Sequence, residues 1–233
     1  MNKDQFLIEL KKINIEITQE QMKQLDLYYK LLITENQKYN LTTITEESDV
    51  YLKHFYDSLA VVKGIQLNNQ YICDIGTGAG FPGMVLKIVF PNLKVDLIDS
   101  TTKKCNFLKL VIKKLNLKNI NVINVRAEEY SKTNREIYDI AISRAVAPLK
   151  HLLEYSVPLL KLNGIFISLK ANIDNEINDI EKYYQVFGLI KNRIISFKLP
   201  IENSIRTIYF IEKSKKTPNI YPRKYSQIKK SDI

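Results

Sequence analysis

Apolar residues near the start of the chain recur every three or four positions, which is the spacing of amphipathic helices. Thr18 and Gln21 form a capping-box pattern at the start of one of these helices. A polar break follows at residues 38–44, and a third helix is predicted over about 46–62. Residues 1–66 are therefore predicted to form an N-terminal helical extension.

From residue 70 onward, short apolar runs alternate with helical patterns. Strands are predicted at 71–75, 94–98, 121–125, 138–143, 164–169, 189–198 and 205–212, and helices at 83–90, 103–116, 147–162 and 173–187. Such alternation is typical of an α/β fold with a mostly parallel sheet and helices on both faces. Because only residues 199–204 separate the last two strands, those strands should form an antiparallel hairpin at the sheet edge. The predicted core domain spans 67–213, and 214–233 form a basic tail.

A glycine-rich turn follows the first predicted strand. Gly76, Gly78 and Gly80 alternate along it, and a helical pattern begins directly afterwards. Residues without a Cβ allow a ligand to approach the backbone, so a strand, a glycine turn and a helix together predict a nucleotide-type cradle. Asp99 ends the next strand, 23 residues after Gly76, where an acid would hold the hydroxyls of a ribose.

The spacing of the glycines narrows the class of ligand. The dinucleotide fingerprint Gly-x-Gly-x-x-Gly has Phe81 at its third glycine position here, which disfavours a nicotinamide or flavin enzyme and favours a single nucleoside. The spacing is similar to that of class I S-adenosylmethionine methyltransferases, which have a Rossmann-like fold. Gly76, Gly78 and Asp99 are therefore candidate cofactor residues.

The other predicted strands also end in polar residues. Ala127 and Glu128 follow the third strand and are candidates to hold an adenine, although Glu128 could instead be a first-turn acid of a helix. Arg144 ends an apolar strand, where a charge is costly unless it is paired or faces a ligand, so it is either a structural ion pair or a site residue. Lys170 ends the fifth strand. His54, in the helical extension, is either a packing histidine or a residue near the site.

Composition limits the setting and the partners. The 233 residues are 45% hydrophobic and 26% charged, without a run of 18 apolar residues or a signal-peptide pattern, so we expect a cytoplasmic protein that does not span a membrane. Cys73 and Cys105 are predicted to be reduced, buried thiols rather than part of a disulfide or a metal site. The net charge of +10 suggests nucleic acid as a partner, although 29 of the 35 basic residues are Lys, a bias that an A+T-rich genome also produces.

The tail strengthens the expectation of an RNA partner. Residues 213–230 contain seven basic residues and no acid, with Tyr221 and Tyr225 among them for stacking on bases. The alternative is a solvated basic end. If the tail contacts phosphates, removing it should flatten the salt dependence of RNA affinity.

Several motifs together resemble one family. They are Asn40-Leu-Thr, Lys53-His-Phe-Tyr-Asp-Ser-Leu59, Asp74-Ile-Gly-Thr-Gly-Ala-Gly-Phe-Pro-Gly83, Asp99-Ser with Lys103-Lys and Phe107-Leu, Arg126-Ala-Glu-Glu, Ser143-Arg-Ala and Tyr221-Pro-Arg-Lys. In this order they are similar to the bacterial small-subunit ribosomal RNA guanine-N(7) methyltransferase family, also called glucose-inhibited division protein B. Motifs of exocyclic-amine methyltransferases and of cysteine-dependent carbon-5 methyltransferases are missing after the fourth strand.

The resemblance implies an activity and a set of residues. It implies methyl transfer from S-adenosylmethionine to N(7) of a guanine in 16S ribosomal RNA, with cofactor contacts at Gly76, Phe81, Ala127, Glu128 and Arg144. Arg144 is also the best candidate for a catalytic role. His54, Lys170, Arg223 and Lys224 are the candidates for contact with RNA, in a protein expected to be a monomer without a metal. A small-molecule methyltransferase and a non-catalytic RNA-binding protein of the same fold remain as alternatives.

Overall fold

Seven strands form one mixed sheet in the order β3-β2-β1-β4-β5-β7-β6 in the computed structural model, which describes residues 1–171, 176, 180–230 and 233. The strands are β1 (Tyr71–Ile75), β2 (Lys94–Asp99), β3 (Ile120–Asn124), β4 (Tyr138–Arg144), β5 (Leu160–Lys170), β6 (Leu189–Lys198) and β7 (Ile205–Lys213). Strands β1 to β5 are parallel, and β7 pairs antiparallel with both β5 and β6. The predicted sheet with an antiparallel hairpin at one edge is confirmed.

The helices lie on both faces of the sheet. They are α1 (Lys3–Lys12), α2 (Gln19–Tyr39), α4 (Gly83–Val89), α5 (Thr102–Lys114), α6 (Ala127–Thr133), α7 (Leu149–Ser156), α8 (Glu181–Phe187) and α9 (Tyr225–Lys230). The segment α3 runs over residues 47–63 and contains a π-helical stretch, Val50–Tyr56, between two short α-helical turns, with a 3-10 turn at its end. Among the described residues, none of the helices is long and apolar enough to cross a membrane.

One predicted helix ends earlier than expected, and part of another predicted helix lies outside the described residues. The helix predicted over 147–162 ends at Ser156, because a 3-10 turn containing Pro158 follows and proline lacks the amide hydrogen that would continue the helix. Strand β5 begins directly after that turn. In the predicted helix 173–187, residues 173–175 and 177–179 lie outside the described residues, whereas Glu181–Phe187 is helical. The short helices α6 and α9 were not among the predicted elements, although a helix start at Glu128 was left open.

Alternate residues of the strands point into two apolar cores. On one face, β-strand residues such as Ile72 pack with α1 to α5, so the helical extension shares its core with the sheet. On the other face, residues such as Cys73 pack with α7, α8 and Ile228 of α9. Both cysteines are buried and free, as predicted.

Helix α2 holds the glycine turn against the sheet. The predicted capping box at its start is present, and the Gln21 side chain also donates to the carbonyls of Ile88 and Val89, at 3.0 and 2.9 Å, at the end of α4. Further along α2, the buried hydroxyl of Tyr28 donates to the carbonyl of Ala79 within the glycine turn. The extension therefore fixes the position of the turn.

Candidate active site

The parallel strands end at one edge of the sheet, and the strand order reverses there between β1 and β4. In open α/β sheets, ligands bind in the crevice at such a switch point. A cavity of about 660 Å³ lies there and is lined by residues at the ends of β1 to β4, together with Tyr225 and Lys229 of α9. We call this space the first cavity.

The glycine turn forms one wall of the first cavity. Gly76 and Gly78 adopt left-handed φ angles of 66° and 61°, and a Cβ at Gly76 would lie 2.7 Å from the side chain of Val146. Asp99 is held beside the turn, because its Oδ2 accepts from the Gly78 amide at 3.0 Å and its Oδ1 accepts from the Thr101 amide at 2.8 Å. Each carboxylate oxygen has a further lone pair, so Asp99 can still accept hydrogen bonds from a ligand.

A second acid supports the turn from below. Asp74 is fully buried, and its Oδ2 accepts from the Thr77 hydroxyl at 2.6 Å and from the Gly83 amide at 2.8 Å. Burial raises the pKa of Asp74 to about 6, although both hydrogen bonds oppose this rise. Asp74 therefore fixes the turn to the start of α4 rather than contacting a ligand in the first cavity.

Glu128 offers an unused acceptor to the first cavity. It lies in the first turn of α6 and is 5% exposed, and within the described chain its Oε1 has no hydrogen-bond partner. The guanidinium of Arg126 approaches this oxygen only to 3.8 Å. Buried acceptors are usually satisfied, so an unsatisfied one that lines a cavity fits a ligand that donates a hydrogen bond. Glu128 is therefore both a first-turn acid of α6 and a residue that lines the first cavity, which are the two possibilities that the sequence left open.

Arg144 forms the ion pair that was one of its two predicted roles. Its Nη1 donates to the Lys53 carbonyl at 2.9 Å and lies 3.3 Å from Asp57 Oδ2, and its guanidinium lies 5.1 Å from the centre of the Phe81 ring. The same side chain also lines the first cavity. The charge of Arg144 is thus compensated by the ion pair, and its position beside the cavity is also compatible with a role as a site residue.

His54 completes this cluster as a neutral ring. Because the Arg144 guanidinium can only donate, Nδ1 of His54 must accept its hydrogen bond, at 3.0 Å. The remaining nitrogen, Nε2, then carries the hydrogen and donates to the Thr42 hydroxyl at 3.0 Å. Burial, and secondly the charge of Arg144, lower the pKa of His54 to about 3. The ring also stacks on Phe81, with the two ring centres 4.2 Å apart.

A second cavity, of about 270 Å³, adjoins the first. His54, Asp57, Lys170 and Arg206 line it, and it shares Arg144 and Ala145 with the first cavity. Ala145 has a φ of 53°, an uncommon conformation for a residue with a Cβ, and such strain is concentrated at functional sites. This turn after β4 places Arg144 between the two spaces.

The structure brings the predicted site residues together in two groups. Gly76, Asp99, Ala127, Glu128 and Arg144 line the first cavity, and His54, Arg144 and Lys170 line the second.

Lys170 is already paired in the second cavity, with its Nζ 2.6 Å from Glu176 Oε2 and 3.0 Å from the Ala147 carbonyl. Gly78 contributes through its hydrogen bond to Asp99. The side chain of Phe81 is buried beneath the site, so a cofactor contact by this residue would have to use its backbone.

The two predicted RNA contacts in the tail lie elsewhere. Arg223 is bonded to the buried carboxylate of Glu154, with its Nη2 2.7 Å from Glu154 Oε2, whereas Lys224 is exposed. The tail packs on the protein at some positions, since Tyr221 contacts Phe187 edge to face at 5.0 Å between ring centres, but its lysines between 215 and 230 are exposed. Tyr225, predicted to stack on bases, lines the first cavity beneath the Arg126 guanidinium. RNA contact by Arg223 and Lys224 stays a prediction.

Three residues that line the cavities were not among the predicted site residues. Asp57 and Arg206 line the second cavity, and Ala145 lies between the two cavities. Asp57 carried a signal, since it is an acid within an otherwise apolar helical pattern close to His54. Arg206 is the second residue of the second hairpin strand, and a charge near a strand end has no distinctive pattern.

Comparison with known proteins now decides the family. The family model described as GidB, rRNA small subunit methyltransferase G, matches residues 21–206. The chain belongs to the rRNA small subunit methyltransferase G family. The protein of that name from Mycoplasma capricolum is 48% identical over 226 residues, covering 93% of this chain and 94% of the relative. The one from Bacillus subtilis is 44% identical, covering 100% of this chain and 99% of the relative.

Solved structures outside this family share the fold. The structure of M. jannaschii TYW2 in complex with AdoMet superposes with a TM-score of 0.58 at 15% identity, over 74% of this chain and 80% of that one. The T. thermophilus 16S rRNA N2 G1207 methyltransferase superposes with a TM-score of 0.51 at 12% identity, over 70% of this chain and 40% of that one. The predicted class I methyltransferase fold is confirmed for this family member.

Proposed function

We propose that this protein transfers a methyl group from S-adenosylmethionine to N(7) of a guanine in 16S ribosomal RNA of the small subunit. The observation that carries the proposal is the pair of adjoining cavities: the first has acceptors suited to a nucleoside, the second is lined by cations, and both contact Arg144 and Ala145. Membership of the rRNA small subunit methyltransferase G family supports the reaction and the kind of substrate.

The residues of the first cavity fit this cofactor. Asp99 has free lone pairs for the two ribose hydroxyls, and Glu128 has an unsatisfied oxygen for a donor of the cofactor. The backbone of Ala127 lies beside Glu128, where its amide could contact the adenine, and Gly76 lines the same cavity, where its backbone could contact the methionine portion. When bound, S-adenosylmethionine supplies an electrophilic methyl group on a positively charged sulfur.

The chain's own task is to orient the reactants. Guanine N(7) has an in-plane lone pair and no proton, so a general base is not needed, and alignment and proximity supply most of the effect. Arg144 is held by Asp57 and His54 at the boundary of the two cavities, where it can contact both reactants. Its ion pair with Asp57 limits repulsion between the guanidinium and a cationic sulfur.

The setting follows from the substrate. A substrate of ribosomal RNA or the small subunit supports a cytoplasmic location, and we propose that the protein acts there as a monomer. Two roles are proposed for the tail: α9 closes the adenosine end of the first cavity through Tyr225, and exposed Lys224 contacts phosphate.

The first test measures methyl transfer. Purified protein and labelled S-adenosylmethionine are incubated with small-subunit RNA, or with particles, from a strain that lacks this protein, and the product nucleoside is identified by mass spectrometry. We expect 7-methylguanosine. Label found only in small molecules would favour a small-molecule enzyme, and cofactor binding without transfer to RNA or particles would favour a non-catalytic binding protein.

The second test addresses the cofactor. Gly78→Trp should abolish S-adenosylmethionine binding in calorimetry, because an indole there would fill the space beside Asp99 that the ribose needs. Gly78→Ala is the matched control: it has the same left-handed backbone, with φ of 61°, but its Cβ meets only the Gly76 carbonyl, at 3.9 Å. Unchanged affinity in Gly78→Trp, or tight binding of NAD by the parent protein, would contradict the proposal.

A further inference from the structure

We propose that the second cavity holds the target guanine, turned out of the RNA stack, and that the Asp57 carboxylate accepts hydrogen bonds from its N1 and 2-amino groups. This inference rests on the proposed function, since it identifies where the acceptor base sits and which side chain selects it. It assigns Asp57 a role in specificity, in addition to its ion pair with Arg144.

The position of the second cavity is the first argument. It adjoins the first cavity along Arg144 and Ala145, so a base within it lies directly beside a nucleoside cofactor in the first cavity. Its volume of about 270 Å³ is sufficient for one purine with part of its ribose. Enzymes that act on an atom of a base in structured RNA or DNA commonly take that base out of its stack into such a pocket.

The edges of guanine give the orientation. N7 and O6 are acceptors on one edge, whereas N1 and the 2-amino group are donors on the opposite side of the ring system. If N7 faces the boundary at Ala145, the donor edge points away from the first cavity, into the second. An acceptor is therefore required on the inner wall, and a carboxylate is the side chain that accepts two parallel N–H donors.

Asp57 has the geometry and the free capacity to be that acceptor. It is 7% exposed and lines the cavity, so water competes little with a ligand. Each of its two oxygens contacts one cation: Oδ2 accepts a hydrogen bond from Arg144 Nη1 at 3.3 Å, and Oδ1 lies 3.5 Å from Arg206 Nε. Since each oxygen has two lone pairs, both can accept one further hydrogen bond.

The cationic side chains of the second cavity can contact the rest of the nucleotide. Arg144 lies at the boundary, where a donor can meet O6, and Lys170 and Arg206 lie on the walls, where they can meet the phosphate. Adenine would present the unprotonated N1 to Asp57, and the two acceptors would repel each other. The cavity thus favours guanine over adenine, because adenine would set an acceptor against the buried carboxylate and would not supply the two further hydrogen bonds.

The competing occupant is a backbone phosphate alone, with the base outside. Arg206 and Lys170 suit a phosphate, but Asp57 opposes it by charge and would then have no selective role. The two arrangements therefore differ in whether Asp57 affects the choice of base.

The test compares guanine with inosine, which lacks only the 2-amino group and keeps N7. After the modified position has been mapped, 16S RNA carrying guanosine or inosine at that position is assembled into particles, and methyl transfer is measured with the full-length protein. We expect the parent to prefer guanosine by about tenfold in kcat/KM. Asp57→Asn replaces one acceptor oxygen with a donor, so the preference should fall to about one, whatever its effect on the absolute rate.

Control variants separate selection from structural damage. Asp49→Asn removes a carboxylate of the same helical segment that does not line the cavity, and it should keep the tenfold preference. Asp57→Ala should lose the preference as Asp57→Asn does, while calorimetry with S-adenosylmethionine verifies that the first cavity is intact. A merely structural Asp57 would lower the rates with guanosine and inosine equally and leave their ratio unchanged.

The outcomes are distinguishable. Absence of methyl transfer from the parent to any RNA or particle would overturn the proposed function itself. Transfer to guanosine with the same guanosine-to-inosine ratio in the parent and in Asp57→Asn would leave that function standing and overturn the assignment of Asp57. A parent ratio near one would overturn it as well and would favour the phosphate arrangement.

Discussion

The pair formed by Arg223 and Glu154 decides whether the basic tail is primarily a structural element or an RNA contact. The backbone amide and the Nε of Arg223 donate to Glu154 Oε1, at 2.9 and 2.8 Å, and its Nη2 donates to Oε2 at 2.7 Å. The Glu154 side chain is 1% exposed, and that of Arg223 is 18% exposed. Glu154 is therefore a buried carboxylate whose main compensation comes from the tail.

The change to make is Arg223→Ala. Breaking a buried ion pair from one side typically costs 3–5 kcal/mol, because the remaining charge is uncompensated, so we expect a loss of about 3 kcal/mol in the free energy of unfolding. The lower end of the range applies because the Arg223 backbone amide still donates to Glu154. Combining Arg223→Ala with Glu154→Gln removes the buried charge, and the double variant should recover about 2 kcal/mol of that loss.

Urea denaturation of the parent, both single variants and the double variant measures this coupling. Lys224→Ala is the control, since its exposed neighbour position should change stability by less than about 0.5 kcal/mol. The salt dependence of RNA affinity is measured on the same proteins, because loss of one phosphate contact reduces its slope by about one. An Arg223→Ala variant of parental stability with a reduced salt slope would refute the structural reasoning and restore Arg223 as an RNA contact.

Two further predictions concern the Arg144 cluster. In the unfolded chain His54 becomes protonated below its usual pKa of 6.5, whereas in the folded protein its pKa is about 3, so the protein loses stability as the pH falls between these values. Relative to the parent, the free energy of unfolding of His54→Gln should therefore rise by about 2 kcal/mol between about pH 7 and pH 5. A pH-independent difference in urea denaturation would contradict this. In Ala145→Gly, relief of the strain of the left-handed backbone should outweigh the added entropy of the unfolded chain and stabilise the protein by about 0.5 kcal/mol. Ala141→Gly, in the extended strand β4, is the control and should destabilise the protein. Thermal unfolding that ranks the two variants the other way would refute the strain argument.

Much of the fold follows from local pattern. The strands, the glycine turn and the capping box at Thr18 depend on residue spacing and on intrinsic preferences, which act over a few residues and can be read along the chain. The end of the helix before β5 was missed because apolar residues continue through the 3-10 turn and into the strand, so hydrophobicity alone does not mark the boundary.

The sequence by itself determined much of the lining of the first cavity. Gly76, Asp99, Ala127 and Glu128 follow parallel strands directly, and the ends of parallel strands meet at one edge of the sheet whatever the details of packing. The burial of Cys73 and of the apolar strand positions was equally predictable, since burial of alternate residues follows from the period of a strand.

Only the tertiary structure decided which charges are paired and which face a cavity. Asp57 from the helical extension, Arg144 from β4 and Arg206 from β7 are distant along the chain, and they meet because the extension packs across the sheet. Arg223 resembled an RNA contact in the sequence because the buried Glu154 that binds it is 69 residues away. Ion pairs and cavities depend on distances of a few ångströms between separate elements, and no local pattern encodes those distances.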